Sequence, residues 1–452
     1  MAKTILEALQ DKGTYIDAPC GGAGTCGKCI VQVNGVPCLA CQTNNVEGAI
    51  VDVGHSADFT VLTVETAEIN PDSDFGIAVD IGTTTIAFAL VDLKTKQPVF
   101  SHGMVNSQRA LGADVISRIK AADDGKLDIL NCYIVDDIVR GIYYICKETL
   151  IPPAAITKMF VAGNTTMLHI LLNVSVHSLG QYPFTPEFIE VQQRPFLEIF
   201  REDLLQCDVT LLSGISTYVG ADIAAGVLCC ESDSFLLVDL GTNGELALLS
   251  DGKVIGTATA AGPAFEAGNI SCGVGSIPGA IYKAEYKDGS LAYETIEGAK
   301  PVGICGSGLL DIAAQLLSEE IIDEAGGMDD DFEISPGICF TQKDVRELQL
   351  AKSAVRAGIE ILLDEASIRP KKLFLAGGFG HNINLDSARS LGILPDDIDV
   401  QVIGNSSLAG CIRAMTDNVA FENLINLTAT AQEINLSNHP RFNDLFMEYM
   451  MF

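Results

Sequence analysis

Two segments of the chain repeat one pattern, and this repeat limits the folds that the sequence can adopt. Residues 75–93 read FGIAVDIGTTTIAFALVDL, and residues 235–250 read FLLVDLGTNGELALLS. Each segment is an apolar strand, then Asp-Ile-Gly-Thr or Asp-Leu-Gly-Thr, then a second apolar strand. A supersecondary unit that occurs twice predicts two related α/β lobes that face each other across a cleft.

The repeated turn has the chemistry of a phosphate site. Its glycine and threonine expose backbone N–H groups and hydroxyls to phosphate oxygens. The aspartate at the strand end can hold Mg²⁺, usually through water. One such turn is weak evidence, because Asp and Gly are common in ordinary hairpins. Two copies in register, with Asp80 and Asp239 at equivalent positions, favour a nucleotide site.

A second pair of matching segments also follows an apolar strand in each half. Residues 159–167 read MFVAGNTTM, and residues 372–380 read KLFLAGGFG. Glycines after a strand let a phosphate or a flat ligand lie against the backbone, although each segment alone is equally consistent with a tight strand-to-helix turn. The chain has no Walker A sequence, so a P-loop is not the phosphate cradle. Together with the aspartate turns, these segments resemble the connecting and adenosine motifs of the actin, Hsp70 and sugar-kinase (ASKHA) ATPases.

The N-terminal region carries a different chemistry. Cys20, Cys26, Cys29 and Cys41 have the order and spacing of ligands to a [2Fe–2S] cluster, three in a glycine-rich loop and the fourth beyond it. The intervening run IVQVNGVPCLACQT predicts two short strands joined by an Asn-Gly turn, which would return Cys41 to the loop. Cys38 is a fifth candidate, but LACQT resembles the fourth-ligand segment of [2Fe–2S] ferredoxins, so we favour Cys41.

Two other interpretations of these cysteines are weaker. A zinc site usually has two Cys-x2-Cys pairs, and only one pair here has that spacing. A disulfide framework needs an oxidising compartment, and the first residues do not resemble a signal peptide.

The composition restricts the class of protein. A chain of 452 residues is long enough for roughly two or three domains with large cores. No uninterrupted apolar run reaches about 18 residues, so no membrane span is expected. We expect a cytoplasmic protein, which fits 14 cysteines kept reduced. The net charge of −31 argues against nucleic acid as a partner, because phosphates require a basic surface.

These signals predict four segments along the chain. Residues 1–67 form a [2Fe–2S] ferredoxin-like domain, 68–74 a polar linker, 75–230 the first ATPase lobe and 231–452 the second lobe. The chain begins almost directly at a predicted helix, KTILEALQDKG, where ferredoxin modules usually open with a β-hairpin. We therefore expect a small, shortened β-grasp in front of a two-lobed ASKHA ATPase.

Over nearly its full length, the chain resembles the ATP-dependent reductive activators of corrinoid proteins, which include the activating enzymes of methyltransferase and O-demethylase systems. The resemblance rests on the cysteine loop and on a series of segments in order, which are DIGTTT (80–85), GADVISRI (112–119), AGNTTM (162–167), DLGTNGE (239–245), AGPAFEAGNISCG (261–273), ICGSGLLD (304–311), TQKDVRELQLAK (341–352), AGGFG (376–380) and GNSSLAG (404–410).

The resemblance implies a specific function. Such an activator returns one electron to an inactive Co(II) corrinoid protein and so restores active Co(I). The implied cofactors are a [2Fe–2S] cluster, ATP and Mg²⁺. The implied partners are a corrinoid (cobalamin-binding) protein of a methyltransferase system and an electron donor that the sequence does not identify, and the resemblance also suggests a homodimer.

The resemblance also implies roles for individual residues. Asp80 and Asp239 would position Mg²⁺ and the attacking water, and Glu245 is a candidate for orienting that water, unless it only pairs locally. The four cysteines would hold the cluster. The nucleotide would be bound by Gly82, Thr83, Thr84, Thr85, Gly163, Asn164, Gly241, Thr242, Asn243, Gly377 and Gly378.

Two other functions remain open from the residues alone. The first is a ferredoxin-like electron-transfer protein whose ATPase-like lobes are a non-hydrolysing docking scaffold. Intact paired aspartates argue against it, because a scaffold needs no Mg²⁺ ligands. The second is an ATP-dependent small-molecule kinase, which would need a dedicated base and an acceptor pocket that the sequence does not reveal.

Overall fold

Two compact units make up the chain. The first consists of Met1–Ile189 with Gln193–Leu211, and the second of Glu190–Gln192 with Leu212–Phe452. The computed structural model describes residues 3–10, 29–33, 36–45, 51–52, 67–71, 73–241, 243–287, 289–377 and 383–452.

Among the described residues, the N-terminal part of the first unit contains a small sheet and a helix. Its elements are α1 (Ile5–Gln10), β1 (Ile30–Val33), β2 (Val36–Leu39) and β3 (Val51–Asp52), and the strand order is β2-β1-β3. Strands β1 and β2 pair antiparallel with Val33 opposite Val36, which confirms the predicted hairpin; its turn residues lie outside the described residues. Ile5, Leu6 and Val31 form the buried core of this sheet.

A six-stranded sheet organises the rest of the first unit. Its strands are β4 (Phe75–Ile81), β5 (Thr85–Asp92), β6 (Gln97–Val105), β7 (Ile156–Gly163), β8 (Gln192–Pro195) and β9 (Asp208–Leu211). The order is β6-β5-β4-β7-β9-β8. Strands β4 to β6 pair antiparallel, whereas β4-β7 and β7-β9 pair parallel. Nearly every residue of β4 is buried, as expected for a central strand covered on both faces.

Helices lie between these strands in the chain. They are α2 (Val115–Ala121), α3 (Leu127–Thr149), α4 (Thr165–Leu171) and α5 (Phe196–Phe200). The longest of them, α3, buries one face that includes Ile134, Ile138 and Ile142, spaced for one side of a helix.

The second unit repeats the order of five of the six strands in the sheet of the first unit. Its strands are β10 (Phe235–Leu240), β11 (Gly244–Ser250), β12 (Lys253–Thr259), β13 (Ala280–Lys287), β14 (Ser290–Thr295), β15 (Gly303–Ile304), β16 (Phe332–Ser335), β17 (Ile338–Phe340), β18 (Lys372–Ala376), β19 (Asp399–Gly404) and β20 (Gln432–Glu433). The main sheet has the order β19-β18-β10-β11-β12-β20. Three antiparallel strands followed by two parallel ones therefore occur in both units, which confirms the predicted repeat.

The second unit also contains several helices. They are α6 (Ala221–Cys229), α7 (Gly306–Ser318), α8 (Gln342–Ala366), α9 (Leu385–Ser390), α10 (Ser406–Thr416), α11 (Asn418–Thr430) and α12 (Phe442–Glu448). Helix α6 packs closely on α10, so it belongs to the second unit. The division in the structure, between Leu211 and Leu212, is consequently earlier than the predicted boundary after residue 230. Within the described residues, no helix is both long enough and apolar enough to cross a membrane.

A glycine of α10 allows the close contact between α6 and α10. A Cβ atom on Gly410 would lie 1.8 Å from the carbonyl oxygen of Ala225, a distance that no packed atoms tolerate. In an ordinary helix, Gly→Ala is favourable by about 1 kcal/mol. Here the two helices would have to separate before the methyl group could be accommodated.

We therefore expect Gly410→Ala to lower the free energy of unfolding by about 2 kcal/mol, because the overpacking exceeds the gain in helix propensity. Chemical denaturation of the purified variant measures this value. A variant as stable as the wild type would contradict the close helix contact.

Candidate functional site

The first Asp-Gly-Thr turn connects β4 and β5. Asp80 is the penultimate residue of β4 and lies in register with Ala87 on β5 and Ala162 on β7. The N–H of Gly82 donates to the carbonyl of Thr85 at 2.9 Å and closes the turn. The carboxylate of Asp80 is thus placed at the edge where the parallel strands β4 and β7 end, the usual position of a ligand site in α/β sheets.

The carbonyl groups of Gly82, Thr83 and Thr84 in this turn all accept hydrogen bonds. Asn106 Nδ2 donates to Gly82 O at 2.9 Å, and the Asn106 N–H donates to Thr84 O at 3.0 Å. The Thr83 carbonyl accepts a hydrogen bond from Arg118 Nη2. Within the part of the chain that the structure describes, the N–H groups of Thr83 and Thr84 have no hydrogen-bond partner. Their donors remain available for an anion.

The glycine-asparagine segment after β7 meets the same turn. Asn164 Oδ1 accepts from Met167 N at 3.0 Å and so begins α4. Its Nδ2 donates to Thr83 Oγ1 at 3.2 Å. A Cβ atom on Gly163 would lie 2.9 Å from Ile81 O, so the strands approach too closely for a larger residue. The first unit therefore brings together its predicted site residues, which are Asp80, Gly82, Thr83, Thr84, Thr85, Gly163 and Asn164.

The second turn has the same framework. Asp239 is the penultimate residue of β10 and lies in register with Ala376 on the parallel strand β18. The Gly241 N–H donates to Asn243 O at 3.0 Å. Gly377 follows β18 with φ +101°, a backbone conformation that favours glycine, and a Cβ there would lie 2.8 Å from Asp239 Oδ1. Predicted residues Thr242 and Gly378 lie outside the described residues.

One difference separates the two turns. Asp239 is directly opposite Glu245 on the antiparallel strand β11, whereas Asp80 is opposite Ala87. Residues paired in this way point to the same face of the sheet, with Cβ atoms about 5 Å apart. Two carboxylates on one face are the oxygen donors that Mg²⁺ prefers. The second turn therefore fits a divalent cation better than the first.

Cys29 and Cys41, the two predicted cluster ligands that the structure describes, also lie close together. Cys29 is fully buried, and its Sγ lies 3.2 Å from Cys41 Sγ. The Cys41 N–H also points at Cys29 Sγ, at 3.5 Å. Two thiolates on one tetrahedral ion, with bonds of about 2.3 Å, lie roughly 3.8 Å apart. The observed 3.2 Å is shorter than this spacing, so the two sulfur atoms would move slightly apart to bind one metal ion.

The hairpin explains why Cys41 is in this position and Cys38 is not. Cys38 lies within β2, in register with Val31, whereas Cys41 follows the strand and turns back towards Cys29. Cys20 and Cys26 lie outside the described residues. Among the residues that are described, no three His, Cys, Asp or Glu side chains are grouped to hold a metal ion.

Comparisons with known proteins agree with this geometry. Residues 75–234 match the RACo middle region, and residues 233–452 match the C-terminal domain of RACo, the ASKHA domain. The corrinoid activation enzyme RamQ of Eubacterium limosum is 30% identical over 416 residues, which are 84% of this chain and 70% of that protein. The chain belongs to the RACo family of reductive activators of corrinoid proteins.

Two further relatives support this assignment. The Co(II) methylated amine-specific corrinoid protein reductase of Methanosarcina barkeri is 26% identical over 416 residues, 82% of this chain and 76% of that protein. The solved structure of a reductive activator for corrinoid, iron-sulfur protein has a TM-score of 0.75 and 27% identity, and the match covers 100% of this chain and 95% of that one.

The predicted family, fold class and activity are confirmed. The protein is an ATP-dependent activating enzyme that reduces the cobalt of a corrinoid protein from Co(II) to Co(I). Two residues at the first turn, Asn106 and Arg118, were not predicted as site residues. A signal for Arg118 was present, because it lies in the GADVISRI segment that contributes to the family resemblance.

We expect Gly377→Ala to reduce ATP-dependent activation of the corrinoid protein by about 100-fold, because the added methyl group displaces Asp239 or the end of β10. Gly337→Ala is the matched control. Gly337 also has a positive φ, +81°, but open space surrounds its Cβ position, so this variant measures backbone strain alone. Rates of Co(I) formation, followed by absorbance, compare the two. Equal activity in both variants would show that the approach of Gly377 to Asp239 is unimportant.

Proposed function

We propose that the electron reaches the corrinoid protein from a [2Fe–2S] cluster held by Cys20, Cys26, Cys29 and Cys41. The proposal rests on the approach of the Cys29 and Cys41 sulfur atoms inside a buried apolar cluster. When bound, such a cluster supplies a one-electron redox centre. The small sheet positions these thiols, because β1 begins just after Cys29 and β2 ends just before Cys41.

We further propose that ATP and Mg²⁺ bind at the two Asp-Gly-Thr turns. In the first unit, the free N–H groups of Thr83 and Thr84 would bind phosphate oxygens. In the second unit, Asp239 and Glu245 would hold Mg²⁺ and orient the attacking water. Mg²⁺, when bound, neutralises phosphate charge. Gly377 would let the nucleotide approach the end of β18.

ATP is needed because the electron transfer is uphill. The Co(II)/Co(I) couple lies below the potential of a typical [2Fe–2S] centre, and each ~59 mV of mismatch in a one-electron transfer costs about 1.4 kcal/mol. A nucleotide that binds one of two conformations more tightly shifts the protein towards it. The two-lobed ASKHA fold offers such a conformational change.

We propose a corrinoid protein of a methylated-amine methyltransferase system as the partner. The support is the relative from Methanosarcina barkeri, whose name specifies a methylated amine-specific corrinoid protein. Its similarity extends over most of both chains.

Replacement of one ligand should remove the redox centre. We expect Cys41→Ser to lose most of the iron and visible absorption of the anaerobically reconstituted protein, because a four-thiolate cluster would be left with three. Cys38→Ser is the matched control, three residues away, and should retain both. Iron and sulfide analysis together with visible spectroscopy measures the outcome. A spectrum that depends on Cys38 and not on Cys41 would overturn the ligand assignment.

The nucleotide site should be separable from the redox centre. We expect Asp239→Asn to lower ATP-dependent activation by roughly 100-fold, since the variant loses a metal-binding carboxylate. Its visible spectrum should remain that of the wild type. Glu285→Gln, at an exposed position on β13, should leave activation unchanged. Activation by Asp239→Asn at the wild-type rate would contradict coupling through this turn.

A further inference from the structure

We propose that Arg118 is a positioning residue whose side chain binds the carbonyl side of the Gly82–Thr84 turn. It also places a positive charge at the turn, and the phosphates of the nucleotide offset this charge. This inference rests on the proposed nucleotide site. It gives a role to the GADVISRI segment and predicts a preference for anionic ligands at the first turn.

The side chain of Arg118 is completely enclosed. Its exposed fraction is 0%, and it is the largest of the fully buried side chains among the described residues. All of its hydrogen-bond acceptors are uncharged; these are Gly112 O at 2.9 Å from Nε, Gln108 Oε1 at 3.1 Å from Nη1, Met167 Sδ at 2.9 Å from Nη1, and Thr83 O, which binds Nη2.

No carboxylate forms an ion pair with Arg118 within the described part of the chain. The nearby carboxylates have other partners. Asp137 pairs with Arg140 and accepts hydrogen bonds from Ser107, and Asp114 accepts from Ser117 N at 2.7 Å at the start of α2.

The guanidinium nevertheless keeps its charge. Burial lowers the pKa of Arg118 to about 9; the charge of Arg109 lowers it too, while Asp114 and Asp137 raise it. The side chain is therefore still protonated at neutral pH. A buried cation without an ion-pair partner is costly. An anion bound on the other side of the turn would offset part of that cost.

A purely structural role does not explain the charge. Asn106 already holds the carbonyls of Gly82 and Thr84 with a neutral amide and a backbone N–H. A neutral donor would serve equally well for the Thr83 carbonyl, without the cost of burying an ion. The charge has an effect if a phosphate binds to the Thr83 and Thr84 N–H groups on the opposite face of the turn, because it attracts that phosphate.

Three substitutions separate the charge from the hydrogen bond. Arg118→Lys keeps a charged donor, Arg118→Gln keeps a donor without charge, and Arg118→Met keeps neither. Lys352→Met is the matched control. Lys352 is a buried cation of the second unit whose ammonium donates to Met451 O, and it contacts neither turn.

The measurement is the affinity of each full-length, reconstituted variant for ATP and for adenosine by calorimetry, alongside the thermal unfolding of the ligand-free protein. We expect Arg118→Gln and Arg118→Met to bind ATP roughly tenfold more weakly than the wild type while binding adenosine equally well. Arg118→Lys should recover most of the ATP affinity. Lys352→Met should lower the melting temperature without changing the affinity for either ligand.

The outcomes distinguish this inference from the proposed function. Wild-type ATP affinity in Arg118→Gln, or an equal loss for ATP and adenosine, would overturn the role of the charge while leaving the nucleotide site in place. If the wild type itself binds no ATP, the proposed nucleotide site fails. If Arg118→Met does not fold, the comparison of Arg118→Gln with Arg118→Lys decides the matter, since both retain a donor to Thr83.

Discussion

Both turns depend on one constraint, which is the parallel pairing of a later strand with the first strand of the hairpin. These pairs are β7 with β4 and β18 with β10. In the first unit, β7 places Ala162 beside Asp80; in the second, β18 places Ala376 beside Asp239. Because the carboxyl ends of parallel strands meet at one edge, the residue after each alanine, a glycine, lies against the end of the hairpin strand. A register shift of one residue would turn each aspartate to the opposite face of its sheet.

The two halves use this shared framework for different chemistry. The second carries a carboxylate pair, Asp239 and Glu245, where the first has Asp80 and an alanine. The first instead has a buried arginine bound to the turn, and the Thr83 and Thr84 N–H groups have no partner among the described residues. An acidic pair favours a metal ion, and a cationic turn favours phosphate. The ATP–magnesium complex that we propose as the ligand carries both types of group.

Much of this organisation could be predicted from the sequence because its signals are local. Apolar strands that end in Asp-x-Gly-Thr predict the hairpins, and the strand pattern on either side of Asn-Gly in the sequence predicts the return of Cys41 towards Cys29. The contacts of Arg118 could not be predicted, since its acceptor Thr83 is distant in the sequence and nothing in GADVISRI shows that the side chain is buried. The position at which the first unit ends could not be predicted from the sequence either. Helix α6 belongs to the second unit through its packing on α10, which lies far along the chain.

Arg118 also bears on how ATP can drive an uphill electron transfer. Without nucleotide, the first unit carries the cost of a buried charge, and bound phosphate relieves part of it. A ligand changes a conformational equilibrium only by the difference in its affinity for the two states. A charge behind the turn makes the phosphate affinity sensitive to small movements of the Thr83 backbone, because the electrostatic energy varies with distance in a medium of low dielectric constant. By thermodynamic reciprocity, a corrinoid partner that favours the nucleotide-bound conformation must also tighten nucleotide binding. We therefore propose that the buried charge connects nucleotide affinity to the conformation in which the cobalt is reduced.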